Sequence, residues 1–415
     1  MVLVPSHHSR PSPRASVGRR HGRRRNAPRA ACSRASSRDT VGDDDEPREK
    51  IGRRDCVRLV GSLSGAAALV VASASSSASA SASTSTSAAM LPLRAQLIEA
   101  RSTNKSASTS TTVPMTLEGG TFVASFTIGA ARLRAVVDSG SPFLTTRMAC
   151  DAGWGCVSRG DVRFNGAFGN TYETYGLQVD GRTEWATGDC ALGDWNLDEV
   201  VFGVTDDVRG QNTAPFLGLV KYTNRERGIR PSFLQQTDAE AFSLDFERET
   251  LTISTTPLFD ESDEGVLRTV DLRPRGAPVY HYAVACDELW INGERYRSRK
   301  PIYCVFDTGT TGVLVSRDLY EASDFHLGTY QMHAKFTDTN GQTKYAGSSL
   351  KTCLSVNDCV FIVSPIDVPW KGVGSEYHVI FLGLAALRNQ GELAVDTDRG
   401  LVRLGRGRRN LPLEA

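Results

Sequence analysis

The sequence predicts a mainly β protein built as two β-barrel-like lobes with a cleft between them. Three observations carry that expectation. The phrase Asp138-Ser139-Gly140-Ser141 returns as Asp307-Thr308-Gly309-Thr310. Each copy closes an apolar run, Ala135-Val136-Val137 or Cys304-Val305-Phe306, of the kind a buried strand presents. Between and around them, short runs of alternating apolar and polar residues are punctuated by Gly and Asp turns, with only brief helical signals. One such phrase arises by composition alone in roughly a few per cent of chains this long, so two copies in matching settings read as two halves of one site.

The leading segments read as addresses rather than as fold. Residues 1–52 open with a stretch, Met1 to Arg38, that holds ten arginines and no acidic residue, the balance of an organelle transit region that does not fold. In residues 53–89, Arg53-Arg54 precedes the apolar stretch from Val57 to Ala74 and small-residue repeats such as Ala78-Ser79-Ala80. That order is expected of a twin-arginine-like export signal and, behind a transit region, of a plastid protein sent to the thylakoid lumen. A transmembrane anchor or a secretory signal, the latter with a secretory or vacuolar destination, is the alternative. A mature N-terminus upstream of Arg53 overturns the export reading.

Residues 90–112 are rich in Ser, Thr and Ala and are expected to be a linker or short propeptide. An N-terminal lobe over 113–256 and a C-terminal lobe over 257–415 follow, roughly 150 residues each. Strands are expected at Thr121 to Ile128 and Leu133 to Val137, and the lobe connection at Thr255 to Gly265. Helices are expected at Arg317 to Ala322 and Ala385 to Asn389. Residues 1–90 hold 15 of the 48 Lys and Arg and 7 of the 47 Asp and Glu. The remainder therefore carries 33 basic against 40 acidic groups, a net charge near −7 where the whole chain has +1. The basic run Arg23-Arg24-Arg25 lies in the leader without interleaved aromatics, so no nucleic-acid partner is expected.

The two phrases have the residue types that a shared-proton carboxylate pair requires. Carboxylates held face to face cannot both ionise cheaply, so the pair keeps one proton and titrates as a unit. One member is then a base and the other an acid. Gly140 and Gly309 let the backbone turn sharply and bring two loops together. Ser139 and Thr308 are placed to brace the loops against each other, and Ser141 and Thr310 to donate hydroxyls to the outer carboxylate oxygens.

In these phrases, and over most of the chain from Val113 to Leu404, the sequence resembles the pepsin-like aspartic proteases. Phe122 to Gly129 looks like the family's strand before the first aspartate, and Tyr175-Gly176 like its substrate flap. Phe216-Leu217-Gly218-Leu219 and Phe381-Leu382-Gly383-Leu384 match the segments that pass beneath each aspartate, and Glu392 to Gly405 the last hairpin, with Asp398-Arg399-Gly400 as its turn. Cys150 with Cys156 resembles the family's small disulfide loop, and Cys353 with Cys359 repeats that spacing. The resemblance implies a bilobal pepsin-like fold and an aspartic endopeptidase with Asp138 and Asp307 catalytic. It also implies polypeptide substrates, no cofactor, no metal, no stable membrane insertion after processing, and a monomer. The family's tryptophan after the first motif is replaced by Pro142-Phe143-Leu144-Thr145, Ala130-Ala131 replaces the usual turn after the first strand, and the flap continues Leu177-Gln178-Val179-Asp180 where small residues are typical. An unusual substrate preference or catalytic rate is expected from these departures.

Without the family order, Tyr175 reads equally as a strand aromatic, and the cysteines as buried thiols. Beyond the leader there are seven cysteines, an odd count that leaves one thiol free if the others pair. His281, His326, His333 and His378 lack metal-ligand spacing and are expected in ordinary core or surface roles. Asp396 and Asp398 read as turn residues. Two other functions share features with the chain. One is a non-catalytic binding or inhibitor protein on the pepsin fold, which commonly lacks one aspartate. The other is an actin-like ATPase or sugar kinase, whose phosphate loops use a phrase like Asp307 to Thr311 but need long alternating helices.

Overall fold

The computed structural model describes residues 108–150, 153–160, 162–168, 182–206, 214–223, 230–322, 331–349 and 363–405. Several expectations lie outside the described residues: the segments 1–52 and 53–89, most of the linker, the flap from Tyr175 and Gly176 through Asp180, Cys353, Cys359 and His326. What is described is mainly β, with strands in several sheets and only short helices.

Strand β1 (Ser110–Glu118) starts inside the expected linker. Thr111, Val113 and Met115 are buried at alternate positions, and the Thr111 hydroxyl donates to the Leu192 carbonyl and accepts from the Asp194 amide. That distant partner, not local composition, draws the strand back from residue 113. Gly119 and Gly120, at φ 57° and 86°, form a two-residue reversal into β2 (Thr121–Ile128), whose bounds are those expected. A second tight reversal at Gly129-Ala130 leads into β3 (Ala131–Asp138), which ends on the first motif aspartate. β4 (Thr145–Arg147), β5 (Arg163–Phe168), β6 (Arg182–Leu192) and β7 (Trp195–Asp206) extend the sheet. β8 (Phe216–Gly218) then returns to lie parallel to β3, with Gly218 opposite Asp138.

β9 (Ala241–Asp245) and β10 (Thr250–Ser254) form a hairpin against β1. Residues 255–265, the expected lobe connection, hold neither strand nor helix. β11 (Val266–Arg268) opens the later half, and β12 (Ala283–Cys286) follows it. β13 (Glu288–Ile291) and β14 (Glu294–Tyr296) form a hairpin before β15 (Ile302–Phe306) leads to the second motif. Next come β16 (Val313–Ser316), helix α1 (Arg317–Ala322, as expected), β17 (Gln331–Thr337), β18 (Thr343–Ser349), β19 (Val363–Ile366) and β20 (His378–Leu382). One sheet runs β12-β15-β20-β16-β19 and another β14-β13-β17-β18. Every residue of β15 and β20 is buried, which is why both read as nearly unbroken apolar runs.

Helix α2 (Leu384–Leu387) starts one residue before the expected Ala385, because the Leu384 amide donates to Thr310 O at 2.8 Å, and a 3-10 turn, Arg388–Gln390, continues it. β21 (Glu392–Asp396) and β22 (Leu401–Leu404) make the closing hairpin, with Gly400 at φ 65° in its turn. Asp396 accepts from the Arg399 amide, and Asp398 pairs with the buried Lys221 at 2.5 Å. The order β11-β22-β21-β9-β10-β1 therefore joins the beginning, middle and end of the chain in one sheet. A continuous apolar core includes Phe122, Ile128 and Val137 from early strands with Phe306, Val315 and Phe336 from later ones. Each such phenylalanine contributes about 1.5–3 kcal/mol by burial. Among the described residues no helix is long and apolar enough to cross a membrane.

Candidate active site

The two repeated phrases meet. A Cβ placed on Gly140 would fall 2.6 Å from the Asp307 carboxyl carbon, and one on Gly309 would fall 2.6 Å from an Asp138 carboxylate oxygen. Each loop therefore presses a glycine backbone against the opposite aspartate, an approach no larger residue permits. The second residues of the phrases interlock: the Ser139 amide donates to Thr308 Oγ1 and the Thr308 amide to Ser139 Oγ, both at 3.0 Å. Each hydroxyl then donates across to the opposite strand, Ser139 Oγ to Phe306 O at 2.9 Å and Thr308 Oγ1 to Val137 O at 2.8 Å. Ser139 and Thr308 are wholly buried, so these bonds are protected from water.

The carboxyls are held in the same way on both sides. Gly140 N donates to Asp138 Oδ1 at 2.7 Å, and Gly309 N to Asp307 Oδ1 at 3.0 Å. Thr310 Oγ1 donates to Asp307 Oδ2 at 2.9 Å, and the hydroxyl and amide of Ser141 bond to Asp138. Each carboxyl faces the loop that carries the other, so the two acidic groups stand side by side. Burial pushes Asp138 above the ordinary carboxylate range against the pull of these donors. Burial, with the neighbouring charge of Asp138 added, pushes Asp307 up well above it. Two carboxyls raised in this way can keep one proton between them and so offer an acid and a base side by side. Ser141, Asp307 and Gly309 keep partly exposed surfaces, so the pair can be reached from solvent.

The scaffold beneath each loop repeats as well. β3 runs parallel to β8 as β15 runs parallel to β20. Gly218 N donates to Phe143 O at 3.1 Å, and Gly383 N to Gly312 O at 2.9 Å. Phe143 lies five residues beyond the first aspartate and Gly312 five beyond the second, so the two segments are held from below in one geometry. A Cβ on Gly218 would meet Phe143 N at 2.5 Å, and one on Gly383 would meet Thr310 C at 2.8 Å. In place of an early tryptophan, Phe143 packs edge-on against the buried Trp185 at 5.2 Å.

The structure therefore brings together Asp138, Ser139, Gly140, Ser141, Asp307, Thr308, Gly309 and Thr310. Cys150 and Cys156 form a disulfide. Where an odd count left one thiol free, Cys190, Cys286 and Cys304 are all thiols among the described residues. His281, His333 and His378 are buried, and His281, stacked on Trp370 at 5.0 Å, is pushed down to about 3 by burial and stays neutral. No cluster of metal-ligating side chains occurs among the described residues.

Sequence reasoning missed Tyr282. Its hydroxyl donates to Leu219 O at 2.6 Å and accepts from Lys221 N at 3.2 Å, while its carbonyl accepts from Phe306 N at 3.2 Å. Leu219 N in turn donates to Asp138 O at 2.8 Å. One buried side chain and its own backbone thus support the strand ends that carry both aspartates. Nothing in Tyr280-His281-Tyr282 marks it, since its partners lie far away in the chain. Tyr282→Phe leaves a buried carbonyl and amide without that partner. It is expected to lower stability in urea by about 1–3 kcal/mol and to reduce any turnover at the pair more than substrate binding.

Compared with known proteins, the chain matches no protein-family model and no curated protein.

Proposed function

We propose that this chain is an aspartic endopeptidase with the bilobal pepsin-like fold, directed by its leader to the plastid and thylakoid lumen. The observation that carries the reading is the face-to-face placement of Asp138 and Asp307, each against the other loop's glycine, on loops that interlock through Ser139 and Thr308. The repeated scaffold under the two loops supports two facing lobes. The polypeptide substrate would lie across the partly exposed side of the pair.

In this reading Asp138 takes a proton from a water as its oxygen attacks the peptide carbonyl. Asp307 donates its hydrogen bond to the oxygen on which negative charge develops. The proton held by Asp138 passes to the leaving nitrogen as the C–N bond breaks, and the pair is left with the single proton it began with. The donors from Gly140, Ser141, Gly309 and Thr310 fix both carboxyls before substrate arrives, so little reorganisation opposes the reaction.

A peptide library incubated with the full chain tests the proposal, with a hydroxyl-containing transition-state mimic as inhibitor. Cleavage that the mimic blocks is the expected result. The pH dependence of kcat/KM should be bell-shaped. Activity is lost toward acid as both carboxyls become protonated. It is lost on the other side as the shared proton leaves, above the ordinary carboxylate range because burial and the paired charge raise that step. A rate that climbs steadily into alkaline solution would sink the shared-proton mechanism.

A further inference from the structure

Two of the three described thiols are placed together. β12 lies antiparallel to β15 with Val284 opposite Cys304 and Cys286 opposite Ile302. Residues two apart on a strand share a face, so Cys286 and Cys304 stand on one face along a diagonal of the pair. The Cys286 side chain is among the groups that act on the Cys304 thiol. Cys304 is wholly buried, whereas Cys286 ends its strand half-buried, its Sγ donating to Glu288 O at 3.1 Å. Cys190, the other described thiol, is buried in β6, in a different sheet.

We infer that Cys286 and Cys304 are an oxidation site that closes to a disulfide between β12 and β15. The site does not depend on the proteolytic reading. The co-reactant is a small disulfide oxidant, RSSR. Cys286 is the reachable sulfur and attacks first: the oxidant's S–S bond breaks, a Cys286–S–S–R bond forms, and one RSH leaves. Cys304 then attacks the Cys286 sulfur, the mixed bond breaks, the protein disulfide forms, and a second RSH leaves. The two thiols have lost two electrons and two protons, and one oxidant disulfide has become two thiols.

Burial pushes the Cys304 thiol up well above its ordinary value, with the adjacent Cys286 adding to the effect. Cys304 is therefore a poor first nucleophile, and the order of steps follows. The bond would close the loop that holds β13 and β14 and would fasten β15 three residues ahead of Asp307.

The test uses the full chain, reduced with dithiothreitol and then exposed to glutathione disulfide. Free thiols are trapped with iodoacetamide, and the digest is read by mass spectrometry without reduction. The reduced protein should carry the label on both Cys286 and Cys304 after unfolding. The oxidised protein should lose both labels and yield a Cys286–Cys304 linked peptide. Cys286→Ser and Cys304→Ser should each abolish that peptide, and Cys304→Ser should trap glutathione on Cys286. Oxidation should raise the melting temperature of the wild type by about 5 °C and leave Cys286→Ser unchanged. Glutathione remaining on Cys286 in the wild type, a Cys304 that still takes the label after oxidation, or a linked peptide joining Cys286 to a different cysteine each overturns the inference.

Discussion

Asp307→Asn removes peptide cleavage, by about 10²–10⁴-fold or more, while making the protein more resistant to heat near neutral pH. The first effect follows because an amide can neither supply the shared proton nor become the partner that keeps it. Asp138→Asn should be equally inactive, since each carboxyl has meaning only beside the other. The second effect separates the electrostatics from mere damage. Asp307 has its pKa raised well above the ordinary carboxylate value in the folded protein, by burial first and by the charge of Asp138 next. Relative to the unfolded chain, the folded state therefore holds a proton more tightly. That contribution is complete below the unfolded carboxylate value, roughly pH 3.9, and is lost as pH rises through the raised folded value. Wild type should lose stability across that window, and Asp307→Asn, which has no charge to bury, should lose less. Melting curves of the two proteins from pH 3 to 8 check this: a variant that tracks the wild type at every pH contradicts the raised carboxyl. Retained cleavage in pure Asp307→Asn protein sinks the aspartic mechanism.

Thr308→Val is expected to be the most damaging change that leaves both aspartates in place. Thr308 Oγ1 accepts from Ser139 N and donates to Val137 O, and both partners lie in the wholly buried contact between the loops. Valine matches the shape of threonine and strands both groups. Each unpaired buried group costs about 1–3 kcal/mol, so the expected loss is on the order of 2–6 kcal/mol in urea or heat. Cleavage should fall with it, because the loops that aim Asp138 and Asp307 are no longer locked together. Thr308→Ser keeps the hydroxyl and should restore most of both properties. Failure of serine to rescue, with valine destabilised, would assign the loss to the missing methyl contacts instead of the hydrogen bonds.

Much of this site is legible in the chain because its parts are local. The strand Thr121–Ile128, and Leu133 to Val137 within the longer observed strand Ala131–Asp138, follow from alternation and from Gly and Asp turns, and the closing hairpin from Asp398-Arg399-Gly400. The two phrases are contiguous, so their repetition can be read without knowing where they lie. The differences arise where a distant partner intervenes. Thr111 starts β1 early because the turn before Trp195 needs its hydroxyl. Helix α2 starts at Leu384 because Thr310 offers a carbonyl to its first amide. Tyr282 and the Cys286–Cys304 pair are invisible in the chain, since ordinary residues acquire their roles only from strands packed beside them.

The sequence by itself determined which short segments extend, which turn, and that an acidic phrase occurs twice after an apolar strand. Those properties depend on side-chain periodicity and backbone sterics within a few residues, which the order of amino acids contains directly. Tertiary structure alone decided that Asp138 and Asp307 stand face to face, for that requires loops separated by well over a hundred residues to meet. Their approach is set by the burial of strands from both halves in one core and by the crossed bonds of Ser139 and Thr308. The resulting low-dielectric enclosure raises both carboxyls where each, exposed on its own turn, would ionise as an ordinary aspartate.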